Sequence, residues 1–366
     1  MRIAFFVRQL DHVMGGMERQ MLTIAKSLID MGHSVTVFSL DEDVPELFYS
    51  NLAKGIEFRN ISSGNPSEKQ KVISRILRQT HVYRKIKKEG FDVSVAFMTG
   101  AFWYSRIPTF ICGVPLVLAE RNAPSIYRLT RVRKIRSLLF LSMLLSSVMT
   151  VQFPRYAQQY PFYLRHKIRV IPNSVEAVVS DFQKADKKIT YVFAGRFSYQ
   201  KQPLLLIRAF LKFARDKPDV QLLMFGKGDL ASEMSKILAA ESNAHFIKIL
   251  SPTEHPGEFL KVADVLCIPS IWEGFPNVLA EALSSGVPAL GFSNCDGVSD
   301  LIQNGVNGWT IEGDGSIAPL VQLLESSYKS VLAKEISAKR CKESVSPYQK
   351  VKVSMQWEDL LKHLAQ

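Results

Sequence analysis

Two glutamates, Glu273 and Glu281, bracket the run Gly274-Phe275-Pro276-Asn277-Val278-Leu279-Ala280 within the segment Pro269–Pro288. The order of residue types predicts a strand ending at Ser270, a loop carrying Glu273-Gly274-Phe275, and a helix over Asn277–Ser285. Pro276 suits a first helical position, and Gly286 with Pro288 beyond it suits a helix end. A strand–loop–helix of this kind aims the N–H groups of Asn277, Val278 and Leu279 at one spot, an anion site reinforced by the helix dipole. Gly274 lets main chain approach a phosphate closely. Glu281 falls on the same helix face as Asn277, about 6 Å further along the axis, where a carboxylate meets sugar hydroxyls rather than the phosphate. Glu273 is placed for a second polyol. Read singly, each glutamate is equally well a solvated charge; the Gly-Phe-Pro-Asn run between them favours chemistry.

A second group, Val192-Phe-Ala-Gly195-Arg196-Phe-Ser-Tyr-Gln-Lys201-Gln-Pro203, reads as a strand, a loop and a helix start. Arg196 and Lys201 at the carboxyl end of a strand suit a diphosphate, the arginine gripping bidentately and the lysine acting as a mobile point charge. Alone, two solvated loop charges would be the simpler reading. Gly15-Gly16-Met17-Glu18 lies between the first strand and first helix and allows a tight turn near a ligand, with Glu18 as a first-turn charge. Phe225-Gly226-Lys-Gly228-Asp-Leu-Ala231 spells a dinucleotide fingerprint, but the acid expected about 20 residues on is absent from Ala244–Ser251. Asp41-Glu42-Asp43 has the form of a metal motif and reads as a polar loop. The seven histidines form no ligand-spaced cluster, so no metal is expected; Arg196, Lys201 and helix N–H groups would carry the electrostatics.

These segments together resemble the retaining family-4 glycosyltransferases of the GT-B fold. Glu273 through Glu281 matches their E-x7-E motif, and Gly195-Arg196 with Lys201 matches G-R-x4-K. The resemblance implies that Glu273 contacts the donor sugar, Glu281 the nucleotide ribose, and the residues after Glu273 the diphosphate, while Arg196 and Lys201 bind the departing nucleoside diphosphate. It further implies that Gly15 and Gly16 close on the donor phosphate and that the Gly226 turn packs beside the base. Glu120-Arg121-Asn122 stands where many members carry a histidine; it is similar to a stretch in members acting on lipid-linked oligosaccharides, which puts Arg121 and Asn122 at the acceptor side. Cys295–Asp300 and Asn307-Gly308 resemble the loop and turn beyond the donor site, whereas Phe246-Ile-Lys248 departs from the usual glycine. The implied activity is transfer of a hexosyl or N-acetylhexosaminyl unit, with retention by front-face departure, from a UDP-linked sugar. The basic charge of the first half suggests a lipid-linked acceptor, a polyprenyl-diphosphate-linked sugar, or a lipopolysaccharide or capsule precursor. A sugar-nucleotide epimerase, a phosphorylase or a non-catalytic partner subunit of the same fold are the rivals.

The elements that must position these residues alternate along the whole chain, which predicts α/β architecture with parallel sheets. Strands are expected at Ile3–Val7, Ser34–Leu40, Ile56–Asn60, Val93–Phe97, Pro115–Ala119, Ser147–Gln152, Thr190–Ala194, Val220–Phe225, Ala244–Lys248, Val265–Pro269 and Pro288–Phe292. Helical patterns include Met17–Met31, Glu68–Lys88, Val132–Leu145, Pro203–Arg215 and Asp229–Ala240. The expected outcome is two doubly wound, Rossmann-like domains: residues 1–172, with a closing helix in 347–366 returning to them, for the acceptor, and 173–346 for the nucleotide sugar. The cleft between them is the expected site.

Of the 366 residues, 47% are apolar and 22% charged, which excludes disorder, and the scattered Gly and Pro exclude collagen-like repeats. Residues 1–180 carry 25 Lys and Arg against 13 Asp and Glu, while the remainder balances at 21 of each. The runs Arg121–Arg136 and Lys69–Lys88 hold much of that excess. At about 1 kcal/mol per basic residue near an anionic leaflet, they suffice for reversible adsorption to a membrane surface. Solvated helix faces are the plainer alternative. Nucleic acid is not expected, because the runs lack interleaved aromatics. The four scattered cysteines fit a reducing compartment, and the apolar stretch Leu138–Val151 is shorter than the ~20 residues of a membrane span. The expectation is a cytoplasmic protein, peripheral on the inner face of the cytoplasmic membrane.

Overall fold

The computed structural model describes residues 1–10, 15–41, 49–61, 71–129, 131–176, 188–253 and 257–366. The chain forms two compact units, Met1–Ser174 together with Lys350–Gln366, and Val175–Gln349.

The first unit is built on strands β1 (Arg2–Phe6), β2 (Ser34–Ser39), β3 (Glu57–Asn60), β4 (Val93–Phe97), β5 (Leu116–Ala119), β6 (Val148–Val151) and β7 (Ile168–Val170). They pair in parallel in the order β3-β2-β1-β4-β5-β6-β7. Phe5 opposes Val37 on one side and Val95 on the other. Strands covered on both faces read as continuous apolar runs, as Ile-Ala-Phe-Phe does here. The second unit has β8 (Ile189–Ala194), β9 (Val220–Phe225), β10 (Ile247–Leu250), β11 (Val265–Ile268), β12 (Ala289–Phe292) and β13 (Gly308–Ile311), in the order β10-β9-β8-β11-β12-β13. Both orders reverse direction beside the first strand of their sheet, the arrangement of doubly wound folds.

In the first unit the closing helix Lys350–Ala365 completes the core. Val353, Trp357 and Leu361 are buried among Phe5, Val95 and Phe97. The Trp357 ring lies 6.4 Å from that of Phe97 and 5.1 Å beneath the Arg121 guanidinium.

That guanidinium corrects one expectation. Arg121 does not reach outward to an acceptor: it is buried, and donates to Ile171 O and Asn173 Oδ1 at 3.1 Å and to Thr150 Oγ1 at 3.0 Å. Burial lowers its pKa to about 9, against the opposing pull of Glu120. Arg121 therefore ties β6, the chain leaving β7 and the closing helix together. Nearby, Gln20 exchanges hydrogen bonds with the Ser174 main chain at 2.8 and 3.0 Å, fixing the exit from this unit to helix Gly16–Asp30.

Other differences have local causes. The 132–145 pattern is not one helix but Arg136–Ser142 between 3-10 turns Arg131–Ile135 and Met143–Leu145. Residues 244–246 form a 3-10 turn, so β10 starts at Ile247 and runs exposed along the sheet edge. Helix Met98–Ile111 escapes a cap-based reading because it leaves β4 directly, through Met98 at φ 66°. Part of the second basic run, residues 69–70, lies outside the described residues.

Truncating a large buried aromatic costs about 3–5 kcal/mol. Trp357→Ala is expected to lower resistance to urea by that amount. A change below about 1 kcal/mol would show that the closing helix does not hold the first unit together.

Candidate active site

In the second unit the loops after β8, β9 and β11 meet at the carboxyl edge of the sheet. Their meeting is dictated by strand order, since β8 lies between β9 and β11. After β8 the chain passes Gly195 and Arg196, makes a 3-10 turn at Tyr199–Lys201, and enters helix Pro203–Phe213. Gln202 between them is left-handed, at φ 53°. A non-glycine residue in that region costs energy and is held by its surroundings.

The β8 loop is clamped from the β9 side. Gly195 N–H donates to Phe225 O and Phe197 N–H to Lys227 O, both at 2.9 Å, extending the strand pairing into the loops. A Cβ on Gly226 would stand 2.0 Å from Gly195 O, and one on Gly228 2.4 Å from Phe197 O. The Gly-x-Gly turn is thus required for main chain to lie on main chain.

From the β11 side comes Glu273. It is buried at 6% exposure, so it is not a solvated loop charge. Its Oε1 accepts from Lys201 Nζ at 2.5 Å and from Ser270 Oγ at 2.6 Å. Its N–H donates to Asp296 O at 3.1 Å. Gly297, at φ 79°, passes so close that a Cβ would lie 2.9 Å from Glu273 O. Gln200 ties the same two loops, donating from Nε2 to Trp272 O at 2.7 Å and accepting at its main-chain carbonyl from Ile271 N–H at 2.9 Å. The Cys295 thiol beside this group is pushed up by burial and by the Glu273 charge. Arg196 is exposed, with no carboxylate partner among the described residues.

Helix Asn277–Ser284 comes next, with Pro276 in extended geometry at its N-cap rather than in the first helical position. Leu279 N–H is bonded to Pro276 O at 3.0 Å, so it is not one of the converging donors; Asn277 and Val278 are the first two residues of the helix. Leu279 and Phe275 point inward, Phe275 meeting the Tyr348 ring edge-to-face at 5.4 Å. Glu281 is buried too, not a surface helix charge.

The structure therefore brings Gly195, Lys201, Gly226 and Glu273 together, with Arg196, Gly274 and Asn277 on the same loops. Gly15, Gly16, Arg121 and Asn122 belong to the first unit. There Gly15 caps helix Gly16–Asp30, and the Glu18 carboxylate folds back over the space a Gly15 Cβ would occupy. Asp41 accepts from Leu10 N–H at 3.0 Å, a loop tie; Glu42 and Asp43 lie outside the described residues. Among the described residues no three His, Cys, Asp or Glu side chains group as metal ligands. Sequence reasoning missed Ser270, Gln200 and Gly297, although Ser270 stands only three residues before Glu273. It also missed the buried Glu120, which accepts from Tyr127 Oη; burial raises the pKa of its carboxyl and of the Tyr127 and Tyr160 phenols.

Comparison with known proteins gives a consistent result. Residues 14–178 match the family described as Glycosyltransferase Family 4, and residues 175–345 match Glycosyl transferases group 1. The chain is 25% identical over 320 residues to the Escherichia coli UDP-Gal:alpha-D-GlcNAc-diphosphoundecaprenol alpha-1,3-galactosyltransferase, covering 81% of this chain and 79% of that protein. It is 24% identical over 325 residues to a Campylobacter jejuni alpha-1,4-N-acetyl-D-galactosaminyltransferase acting on a diNAcBac-PP-undecaprenol glycan, covering 87% and 86%. In fold it is similar to HepE of Anabaena, solved with UDP and glucose, with a TM-score of 0.82, 17% identity and 99% of each chain covered. It is also similar to the lipopolysaccharide outer core galactosyltransferase WaaB, with a TM-score of 0.75, 17% identity and 99% of each chain covered.

Overpacking typically costs 1–3 kcal/mol. Gly226→Ala is expected to destabilise the chain by about that much and to move the Gly195–Phe197 loop. Unchanged stability together with unchanged amide shifts in that loop would contradict the close approach.

Proposed function

This chain belongs to the glycosyltransferases that these two family descriptions cover, and from that premise we propose that it is a retaining hexosyl- or N-acetylhexosaminyltransferase using a UDP-sugar. The acceptor in this reading is a membrane lipid-linked or polysaccharide-precursor glycan. The observation that carries it is the Lys201–Glu273 pair, its glutamate buried, at the carboxyl edge of β8 and β11, with the exposed Arg196 on the same loop as Lys201 and a helix N-terminus beyond Glu273. Such an edge offers positive charge to a diphosphate and a fixed carboxylate to a sugar hydroxyl.

Each residue then has a task. Arg196 and Lys201 hold the diphosphate as charge develops on it, with Gly274, Phe275 and Pro276 shaping the loop and Asn277 and Val278 N–H groups assisting. Lys201 also fixes Glu273, which with Ser270 beside it contacts the donor sugar. Glu281 meets the ribose. No metal is invoked, because these groups carry the positive charge that a cation would otherwise bring. The UDP in the HepE complex and the UDP-Gal in the Escherichia coli enzyme's name support the choice of nucleotide. The diphosphoundecaprenol-linked acceptors named for both relatives support the choice of acceptor.

Membrane attachment is part of the same reading. No helix among the described residues is long and apolar enough to cross a membrane. In the first unit Ile135, Leu138 and Leu141 are exposed, and Arg133 and Lys134 are exposed directly before them. An apolar row with basic neighbours suits adsorption to an anionic leaflet.

The decisive test is nucleoside diphosphate release from UDP-, GDP- and ADP-sugars, with and without bacterial lipid extract. Release from a UDP-sugar that requires lipid and persists in EDTA is expected. Losing one charged hydrogen-bond partner costs ~1.5–3 kcal/mol, so Arg196→Ala and Lys201→Ala should each slow release about 10- to 150-fold. Wild-type rates in both variants would sink the assignment. For the membrane part, co-sedimentation with vesicles containing phosphatidylglycerol should exceed that with phosphatidylcholine alone, and a Leu138→Glu/Leu141→Glu variant should lose most of it. Equal binding to both vesicles would refute the electrostatic component.

A further inference from the structure

At the carboxyl ends of β1 and β2 the first unit has a pocket of about 260 Å³ lined by Arg8, Leu40, Arg78, Gln79, Trp103 and Tyr104. No acid among the described residues lines it. Neither arginine has a carboxylate partner among the described residues, and the Arg78 Nε is buried without a hydrogen bond. The Arg8 stem lies over Gly100, where a Cβ would be 3.6 Å from its Cδ. The Tyr104 hydroxyl is committed to the floor, donating to Val7 O at 2.6 Å. Asp41, next to Leu40, acts on the same Tyr104 as Arg78 but accepts from Leu10 N–H and pairs with neither arginine. Two arginines at the carboxyl edge of a parallel sheet, neither ion-paired with a carboxylate among the described residues, call for a polyanion of phosphate geometry.

Trp103 belongs to a second feature. On helix Met98–Ile111, Trp103, Ile107, Phe110 and Ile111 stand at i, i+4, i+7 and i+8, on one face, and all four are exposed, Phe110 by 69% and Ile111 by 63%. The row runs about 12 Å from the pocket rim. The Arg106 guanidinium is stacked 3.8 Å from the Trp103 ring and holds the indole in place. Segment Met143–Leu145, packed beside this helix, adds exposed Leu144 and Leu145 to the same apolar surface.

A basic pocket whose rim continues as a narrow hydrocarbon-binding row fits one chemical class, an isoprenoid diphosphate. We infer that this is the subsite for the lipid diphosphate of the acceptor, a reading that rests on the transferase activity proposed above. Arg8 and Arg78 hold the diphosphate, Gln79 adds a side-chain amide at the pocket wall, and the Trp103–Ile111 face carries the first isoprene units. The two basic side chains and the exposed aromatic face then have a single explanation. The acceptor is recognised by its carrier, before any sugar is read.

The test is calorimetric titration of the 366-residue chain with farnesyl diphosphate, farnesol and inorganic diphosphate, with UDP saturating so that Arg196 and Lys201 are occupied. Farnesyl diphosphate should bind more tightly than either of the other two. An Arg8→Gln/Arg78→Gln variant should lose at least about tenfold in that affinity while its affinity for UDP stays unchanged. A Phe110→Glu/Ile111→Glu variant should weaken farnesyl diphosphate but leave inorganic diphosphate as it was. Farnesyl diphosphate binding that survives loss of both arginines, or that is no tighter than inorganic diphosphate, overturns the inference and leaves the transferase reading standing. Failure of the unaltered protein to bind UDP overturns both.

Discussion

The Lys201–Glu273 pair exists because β8 and β11 are neighbours in a parallel sheet. Parallel pairing sends every strand's exit loop to one edge, and strand order decides which loops touch. A lysine seven residues past the end of one strand and a glutamate five past the end of the other are thereby made to meet, although 72 residues separate them. The pair is mostly out of water, the lysine side chain 21% and the glutamate side chain 8% exposed, so each charge depends on the other and on Ser270. Every candidate donor contact inherits its position from that arrangement.

Glycine is what allows the loops so close. Gly226, Gly228 and Gly297 each sit where a Cβ would strike a backbone oxygen or carbon of a neighbouring loop, the first two against the loop that carries Lys201 and the third against Glu273 itself. These glycines do not need to touch a ligand to be essential. They remove side chains from a space that main chain must occupy, and rigid main chain in turn fixes Arg196, Lys201 and Glu273. The first unit achieves the equivalent by burying an arginine: Arg121 spends its charge on a carbonyl, an amide oxygen and a hydroxyl of the unit's own chain.

The loops after β8 and β11 were legible in the sequence because the pattern is local: a short stretch carries strand, loop and helix start, and Glu273 and Glu281 stand out against apolar neighbours. Most strands were legible for the same reason, as short apolar runs between turn residues. What escaped depends on contacts between distant residues. Nothing near Arg121 in the chain says that Thr150, Ile171 and Asn173 will surround it, so its charge reads as a surface feature. The Leu279 N–H is lost to a turn bond that a count of first-turn donors ignores. Helix Met98–Ile111 leaves β4 without a linker, and β10 begins after a 3-10 turn whose residues read as strand. The motif residues and their loops could be read one segment at a time; Ser270 and Gln200 acquire their meaning only from the loops they join.

The closing helix has a consequence for how the molecule comes into being. The second unit is one continuous stretch, Val175–Gln349, whereas the first is completed only by Lys350–Gln366. Domains generally fold in the order in which synthesis releases them. Here the first unit must wait, its Trp357 site open beside Phe97, until the closing helix has left the ribosome. The unit made second is finished first. While residues 175–349 are being made, the nascent chain therefore carries the first unit's apolar core incomplete.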